Sequence, residues 1–355
     1  MRILVLDIAA SKTGALSVLK DFYGYVNDPD FQRIDSTDIS GDLEWTFVTG
    51  VPGILASVPE KHIEVIVRSD VKASSRARLK FEYLTGGKWV NGINPDVVFS
   101  LENMLPKGLD SGIKQVLYIH QPVGFQHEKK FSILKPNERE QGIYQRFYHP
   151  MIISSAKKAD RIVVQTEWMK RALVRDEKIP SDKIYKVKPD IPDLSGYVRN
   201  GEFDPVRFFF PASNLPYKNH AVIEAAREIL IREGFEPKIL FTKEKVLPRE
   251  EIFAEYNRST LLFPSYLETF GMPLGEAQQF GNPVIAADTE FAREVLAGYD
   301  NAYFFNPFDP DGLAELMRAV MNGEIKPVVP RASDRKVNSY SKLVDIICGR
   351  VFDNQ

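Results

Sequence analysis

Leu261-Leu-Phe-Pro-Ser-Tyr-Leu-Glu268 runs into Thr269-Phe-Gly-Met-Pro-Leu-Gly-Glu276 and reads as a strand, a tight turn and the opening of a helix. Residues 261–263 are apolar and do not alternate, which is the pattern of a strand covered on both faces. Gly271 permits the turn. Pro273 suits a first helical position, because it has no N–H to lose and its φ is already helical. A helix opening there aims unpaired N–H groups and a partial positive charge at the turn, which favours a phosphate. Glu268 at the mouth and Glu276 one turn inside are unsuited to the anion itself, but carboxylates accept hydrogen bonds from hydroxyls. An anion cradle beside two hydroxyl acceptors fits a phosphorylated sugar. Taken alone, the spacing is better explained by a capping carboxylate and a solvated helix glutamate, so the surrounding segments decide.

The strand-then-helix unit recurs along the 355 residues. Short apolar runs lie at 3–8, 45–48, 63–67, 97–101, 116–119, 162–164, 206–210, 238–241, 261–263, 284–286 and 302–305, with amphipathic patterns between them such as 219–233, 249–256, 274–280 and 312–321. Such alternation predicts a doubly wound α/β architecture with parallel sheets. It also restarts. After Asp190-Ile-Pro-Asp193 a polar, glycine-bearing stretch passes through Ser195-Gly196 to Asn200-Gly201, the composition of a domain boundary. The expected organisation is a Rossmann-like domain over 1–195, a second over 196–335, and a helix within 336–355 that crosses back to the first. Facing sheets bring the carboxyl ends of their strands around one cleft, where open α/β folds bind ligands.

Composition narrows the class. At 44% hydrophobic the chain can fill two cores, and a formal net charge of −2 gives no general attraction for nucleic acid. The single cysteine, Cys348, excludes an internal disulfide framework and fits a reducing cytosol. The histidines at 62, 120, 127, 149 and 220 have no zinc spacing. The first eight residues are a strand rather than a signal sequence, and no stretch approaches the ~18 uncharged apolar residues of a bilayer span. The expected location is cytoplasmic, with any membrane contact peripheral. Asp28-Pro-Asp30 and Asp309-Pro-Asp311 are the two Asp-x-Asp matches that a divalent cation would want. Both precede helix starts or turns and read as caps and turn formers, so neither a metal nor a cofactor is expected. Gly86-Gly-Lys88 lacks the spacing of a P-loop, and no dinucleotide glycine fingerprint follows the first strand.

After the run at 206–210, Pro211-Ala-Ser-Asn-Leu-Pro-Tyr-Lys-Asn-His220 ends in a lysine at a helix start. A cation and helix-end amides at the carboxyl end of a strand suit a diphosphate.

These segments, taken in order, resemble the donor-binding domain of retaining family 4 glycosyltransferases, which have the GT-B architecture. The resemblance is carried by Pro216-Tyr-Lys-Asn-His220, by Phe263-Pro-Ser-Tyr-Leu-Glu268 leading to Glu276, by Gly281-Asn-Pro-Val-Ile-Ala286 with Glu294, and by Tyr303-Phe-Phe-Asn-Pro307 with Asp311-Gly-Leu-Ala314. A looser match runs through the first domain at 2–6, Gly14, 96–101, Tyr118-Ile-His-Gln121, Val164-Gln-Thr-Glu-Trp168 and 183–189. The resemblance implies that Lys218 contacts the donor diphosphate and Glu276 the ribose hydroxyls. It implies that Glu268 and the backbone at Phe270, Gly271 and Met272 hold the transferred sugar, that His120 stands near that sugar and the acceptor, and that Gly14 lets its loop approach the phosphates. Three departures stand out. Ser213 occupies the position where many relatives carry an arginine, a single glycine replaces a frequent pair, and residues 242–248, where relatives hold the base, are few.

The implied activity is transfer of a hexose-type sugar, with retention, from a nucleoside-diphosphate sugar to a glycan or lipid-linked acceptor in surface polysaccharide assembly. A sugar-nucleotide epimerase and a non-catalytic partner of an active transferase are the alternatives. Arg68, Lys72 and Arg76 lie in a cationic stretch over 68–80 whose default reading is a solvated helix face. Their place in the acceptor-side domain makes acceptor or anionic-lipid contact the competing reading.

Overall fold

The computed structural model describes residues 1–355 apart from 11–12, 32–41, 56–57, 127–128, 200–201, 244–246, 331–338 and 351–355. Ser11, Lys12, His127, the glycine of Asn200-Gly201, part of the short 242–248 loop and the ends of the 336–355 segment therefore lie outside the described residues.

Two parallel sheets form. The first contains β1 (Arg2–Asp7), β2 (Glu44–Thr49), β3 (Ile63–Val67), β4 (Val97–Ser100), β5 (Lys114–Tyr118), β6 (Arg161–Val164) and β7 (Ile184–Lys186), in the order β3-β2-β1-β4-β5-β6-β7. The second contains β8 (Arg207–Phe210), β9 (Lys238–Phe241), β10 (Thr260–Phe263), β11 (Val284–Ala287) and β12 (Ala302–Phe305), in the order β12-β11-β10-β8-β9. Every pairing is parallel, for example Leu4 with Val98 and Leu262 with Ile285. Helices cover both faces, and the central strands β4, β10 and β11 are buried at every residue, as their unbroken apolar runs require.

All eleven apolar runs are strands, shifted by a residue or so at their ends. The twelfth strand, Ile184–Lys186, is three residues long and only Ile184 is buried, so it lacks the apolar run that marks the others. The cationic stretch forms two short helices, Ser69–Lys72 and Ser75–Lys80, rather than one continuous face. Ser74 separates them by accepting from Ala77 N at 3.1 Å as an N-cap.

The chain crosses between sheets through residues 187–194. Gln279 fixes this crossing by accepting from Leu194 N at 3.0 Å and donating to the Pro192 carbonyl at 2.9 Å. Ile191 packs on Gly275, where an added Cβ would stand 2.2 Å from Ile191 Cδ1. Leu194 belongs to the core of the second sheet.

The last described helix, Ser339–Cys348, returns to the first sheet and buries Leu343, Val344, Ile346 and Ile347 among Ile3, Phe22, Phe99 and Val163. Full burial of an aliphatic side chain is worth roughly 1.5–3 kcal/mol, so these four bind the helix firmly. Arg161 of β6 donates from Nη1 to the Ile346 carbonyl at 3.1 Å and the Ile347 carbonyl at 3.3 Å, satisfying acceptors that a helix end leaves open.

Further contacts set the two sheets against each other. Val123 and Phe131 pack with Tyr266 and Leu267. Glu294 caps helix Glu167–Arg175, accepting from Glu167 N at 2.8 and 2.9 Å and from Trp168 N at 3.2 Å. Trp168 Nε1 and Thr166 Oγ1 donate to the Thr269 carbonyl at 3.2 and 2.8 Å.

Candidate functional site

The facing carboxyl ends of the strands enclose a cleft of about 1900 Å³. On its second-domain side, β10 ends at Phe263 and the chain reaches Gly271, whose φ of +88° is open to glycine and strained for other residues. Helix Met272–Ala277 begins immediately after, with Pro273 in its first turn and Glu276 on its buried side.

Two loops supply the charged pair. The Asn219 side chain donates to the Pro264 carbonyl at 3.4 Å and to the Pro307 carbonyl at 2.6 Å, and Tyr266 N donates to the Tyr217 carbonyl at 3.1 Å, which laces the β8 loop to the loops after β10 and β12. Lys218, ending the turn Pro216–Lys218, is thereby held against Glu268, and its Nζ donates to Glu268 Oε1. Both side chains are largely buried and both line the cleft. Phe270, Gly271, Met272 and Ser213 line it as well. Nε2 of His220 donates to the Ser213 carbonyl at 3.0 Å, since a carbonyl can only accept, and burial pushes the imidazole toward the neutral form.

Glu276 lies deeper. Tyr256 OH donates to its Oε2 at 3.0 Å, and Arg249 Nη2 stands 3.6 Å from Oε1. Burial raises the Glu276 pKa, against the pull of the Tyr256 hydrogen bond and the Arg249 charge. Tyr256 and Arg249 carry no sequence signal for this role, since they sit on the separate helix Arg249–Arg258.

Across the cleft, His120 follows β5. Its N donates to Asn103 Oδ1 at 2.7 Å, and Asn103 Nδ2 lies 3.4 Å from His120 Nε2, an arrangement that suits an accepting Nε2. His120 Nδ1 is buried without a hydrogen-bond partner. Burial lowers the imidazole pKa to about 4, so the ring is neutral near pH 7.

Next to His120 lies a cluster that sequence reasoning did not single out. Asp7 accepts from Ala10 N at 3.2 Å, and Glu102 accepts from Ala9 N at 2.6 Å. Arg78 Nη2 stands 3.7 Å from Glu102, and its Nε donates to Glu82 at 2.8 Å. Burial, helped by the neighbouring Glu102 charge, pushes the Asp7 carboxyl up to about 8.

Lys72 turns inward, and its Nζ donates to the carbonyls of Ala9 at 2.5 Å and Ala10 at 3.2 Å. Gly50 makes room for it, because a Cβ there would meet Lys72 Cδ at 2.6 Å. Lys72 is thus a brace for the β1 loop and not an outward-facing cation. Arg68 is likewise committed, with a fork onto Asp70 at 2.8 and 2.7 Å and its guanidinium 4.8 Å from the Trp89 ring centre. Of these three cations, Arg76 is the one in an exposed position.

Gly14 lies in the first turn of helix Thr13–Val26. The amides of Ala9 and Ala10 in the preceding loop donate to carboxylates. Phe125 and Trp89 pack in the first-domain core. Asp309 caps helix Pro310–Met321, accepting from Gly312 N at 3.0 Å, and Asp28 accepts from Asp30 N at 2.9 Å, so both Asp-x-Asp segments act as cap or turn. Among the described residues, no group of three or more His, Cys, Asp or Glu is placed to hold a metal ion, and no helix is long and apolar enough to cross a membrane.

Comparison with known proteins bears on this arrangement. Residues 224–338 match the family described as Glycosyl transferases group 1. No curated protein sequence matches the chain. Among solved structures, Anabaena HepE in complex with UDP and glucose is similar with a TM-score of 0.64 and 15% identity, over 99% of this chain and 100% of that one. The apo form of the lipopolysaccharide outer core galactosyltransferase WaaB gives 0.59 and 16%, over 99% and 100%. Sucrose-phosphate synthase from Thermosynechococcus elongatus gives 0.62 and 12%, over 98% and 94%. Identities this low speak for the fold alone. The chain has the GT-B fold, two parallel α/β units facing across a cleft, and the family match falls within its second unit.

Proposed function

We propose that this chain is a retaining glycosyltransferase that moves a hexose-type sugar from a nucleoside-diphosphate sugar to a glycan or lipid-linked acceptor, without a metal, in surface polysaccharide assembly. The observation that carries the reading is the Lys218–Glu268 pair beside the Gly271 turn, with Glu276 behind it and His120 on the opposite wall. Cleavage of a sugar–phosphate bond leaves a cationic sugar centre and an anionic diphosphate, so the departing oxygens need positive charge and N–H donors. Lys218 and the amides after Gly271 supply these. Glu268 then accepts from sugar hydroxyls, and Glu276, held by Tyr256, accepts from the ribose. A neutral His120 whose Nε2 accepts from Asn103 carries its proton on Nδ1 and can donate a hydrogen bond toward the transferred sugar. The departing phosphate takes the acceptor proton on the same face, which retains the anomeric configuration.

HepE has been crystallised in complex with UDP-glucose, which puts uridine diphosphate sugars first in a donor panel. The test is thermal stabilisation by UDP-, GDP-, ADP- and dTDP-sugars, followed by NMR of the product. A donor at 100 times its dissociation constant adds about 2.7 kcal/mol. Transfer with retained configuration, abolished in both Lys218→Ala and Glu268→Ala, is the expected result. No stabilisation by any nucleotide sugar would overturn the reading, an altered free sugar released without acceptor would replace it with epimerisation, and donor binding without turnover would replace it with a non-catalytic role.

A further inference from the structure

Thr166 breaks a local rule. It occupies the N-cap of helix Glu167–Arg175, where a threonine ordinarily accepts from an amide of its own helix, yet its side chain makes no such bond. The residue is buried, and its Oγ1 instead donates across to the Thr269 carbonyl of the second unit at 2.8 Å. The helix amides that it leaves open, Glu167 N and Trp168 N, are taken by Glu294, also of the second unit. Departures from local preference of this kind concentrate at functional positions.

Trp168 repeats the pattern. Its backbone N donates to Glu294 and its indole Nε1 to the Thr269 carbonyl at 3.2 Å, so the second unit holds both ends of the residue. A carbonyl oxygen has two lone pairs, and that of Thr269 thus meets two donors from the first unit. Just before it, Tyr266 and Leu267 pack against Val123 and Phe131 of the first unit. Glu268 lies between these anchors, and the backbone of Phe270, Gly271 and Met272 follows directly. The Thr269–Phe270 peptide is planar and trans, so aiming its carbonyl at Thr166 and Trp168 turns the Phe270 N–H the opposite way. Among the described residues, none accepts from that N–H. Phe270 lines the cleft, whereas Thr166 and Trp168 do not, so the latter two act on its contents through the loop.

We propose that Thr166 and Trp168 are positioning residues for the transferred sugar: through the Thr269 carbonyl, the first unit sets the Glu268 carboxylate and the Phe270 amide of the second. The role rests on the glycosyltransferase reading of the cleft. A shift of about 1 Å in groups that orient a substrate costs about 10²-fold in rate, even when the altered residue is remote from the chemistry.

The test takes the nucleotide sugar that stabilises the wild type most among UDP-, GDP-, ADP- and dTDP-sugars, together with its nucleoside diphosphate. Calorimetry on the full chain gives the affinity for the diphosphate. Turnover is read as diphosphate released in water, which adds its oxygen to the anomeric carbon and gives a proton to the departing diphosphate. Thr166→Val keeps the side-chain shape and removes the donor. Its kcat should fall at least about tenfold while the diphosphate binds within about twofold of wild type. Thr166→Ser restores the hydroxyl and should bring kcat back to within about threefold of wild type. Trp168→Phe, which keeps an aromatic ring and loses the N–H, should show the same split as Thr166→Val and decides the matter where that variant fails to fold. Arg171→Ala breaks a different contact between the units, that of Arg171 Nη2 with Glu290 at 2.5 Å, and should leave kcat within about twofold of wild type. Unchanged kcat in Thr166→Val and Trp168→Phe overturns the proposal. So does diphosphate affinity lost in step with kcat, absence of rescue by Thr166→Ser, or an equal loss in Arg171→Ala, which would make any contact between the units sufficient. A wild type that neither binds nor cleaves any nucleotide sugar overturns the glycosyltransferase reading itself, and the positioning role with it.

Discussion

Tyr256 OH donates to Glu276 Oε2 at 3.0 Å, and both residues are buried. The bond leaves the other carboxylate oxygen toward Arg249, itself largely exposed at 62% of its side chain. Tyr256→Phe keeps the ring in the core and removes only the donor. Burial already raises the Glu276 pKa, and without the phenol it rises further. The expected outcome is a donor dissociation constant raised about tenfold, from a hydrogen bond to a charged group worth roughly 1.5–3 kcal/mol. Turnover should change by about twofold or less, because a ribose contact alters little along the reaction. Donor affinity should also fall as pH drops through the Glu276 pKa, and in Tyr256→Phe the fall should begin at higher pH. A donor affinity with the same pH dependence in wild type and Tyr256→Phe would contradict the role.

Lys218→Ala removes the cation that faces the departing diphosphate and leaves Glu268 without its partner. Loss of a comparable stabilising donor costs roughly 10²–10³ in turnover. Steady-state transfer assays on Lys218→Ala and Glu268→Gln should both show losses of that order, with thermal melting close to wild type. Activity within about threefold of wild type would remove the pair from the mechanism.

His120 titrates at about 4 because it is buried. Its folded pKa lies below the unfolded value of about 6.5, so the stability tied to the neutral ring is complete above 6.5 and is lost as pH falls toward 4. Turnover that depends on the neutral ring should stay level from about pH 8 to 5. His120→Ala should lower kcat by about 10²-fold while the donor dissociation constant moves little. A pH–rate profile and donor titration on the same variant measure both.

Asp7 shows the opposite sign, with an ordinary value of 3.8 raised to about 8 by burial and by Glu102. Stability linked to its protonated form is complete below 3.8, declines as pH rises, and is gone above about 8. Asp7→Asn abolishes that dependence. Relative to wild type, the melting temperature of Asp7→Asn should climb between about pH 4 and 8, and a constant difference would show that Asp7 is ionised throughout.

The fold was legible because burial on both faces writes itself into short apolar runs such as Leu261-Leu-Phe263, and because Gly271 and Pro273 mark a turn and a helix start chemically. Strand β7 escaped since an edge strand with one buried residue needs no such run. Within the site, Lys218 and Glu268 were readable from their positions after strands, yet their direct pairing rests on Asn219 and Tyr266 lacing two distant loops together. The inward turn of Lys72 is not legible in the sequence for a general reason. A charge run shows which residues are polar but not which way a long side chain turns, and the space at Gly50 that admits Lys72 lies twenty-two positions earlier in the chain. Tyr256 precedes Glu276 by twenty residues on another helix, so no local spacing announces the bond.

The return of helix Ser339–Cys348 to the opening sheet has a consequence for synthesis. The amino-terminal half emerges from the ribosome first, but its apolar surface around Phe22 and Phe99 is closed by residues 343–347, which are made only after β12. The first sheet is therefore closed only after the strands of the second have been made, and a nascent chain stalled short of residue 343 should stay sensitive to protease there.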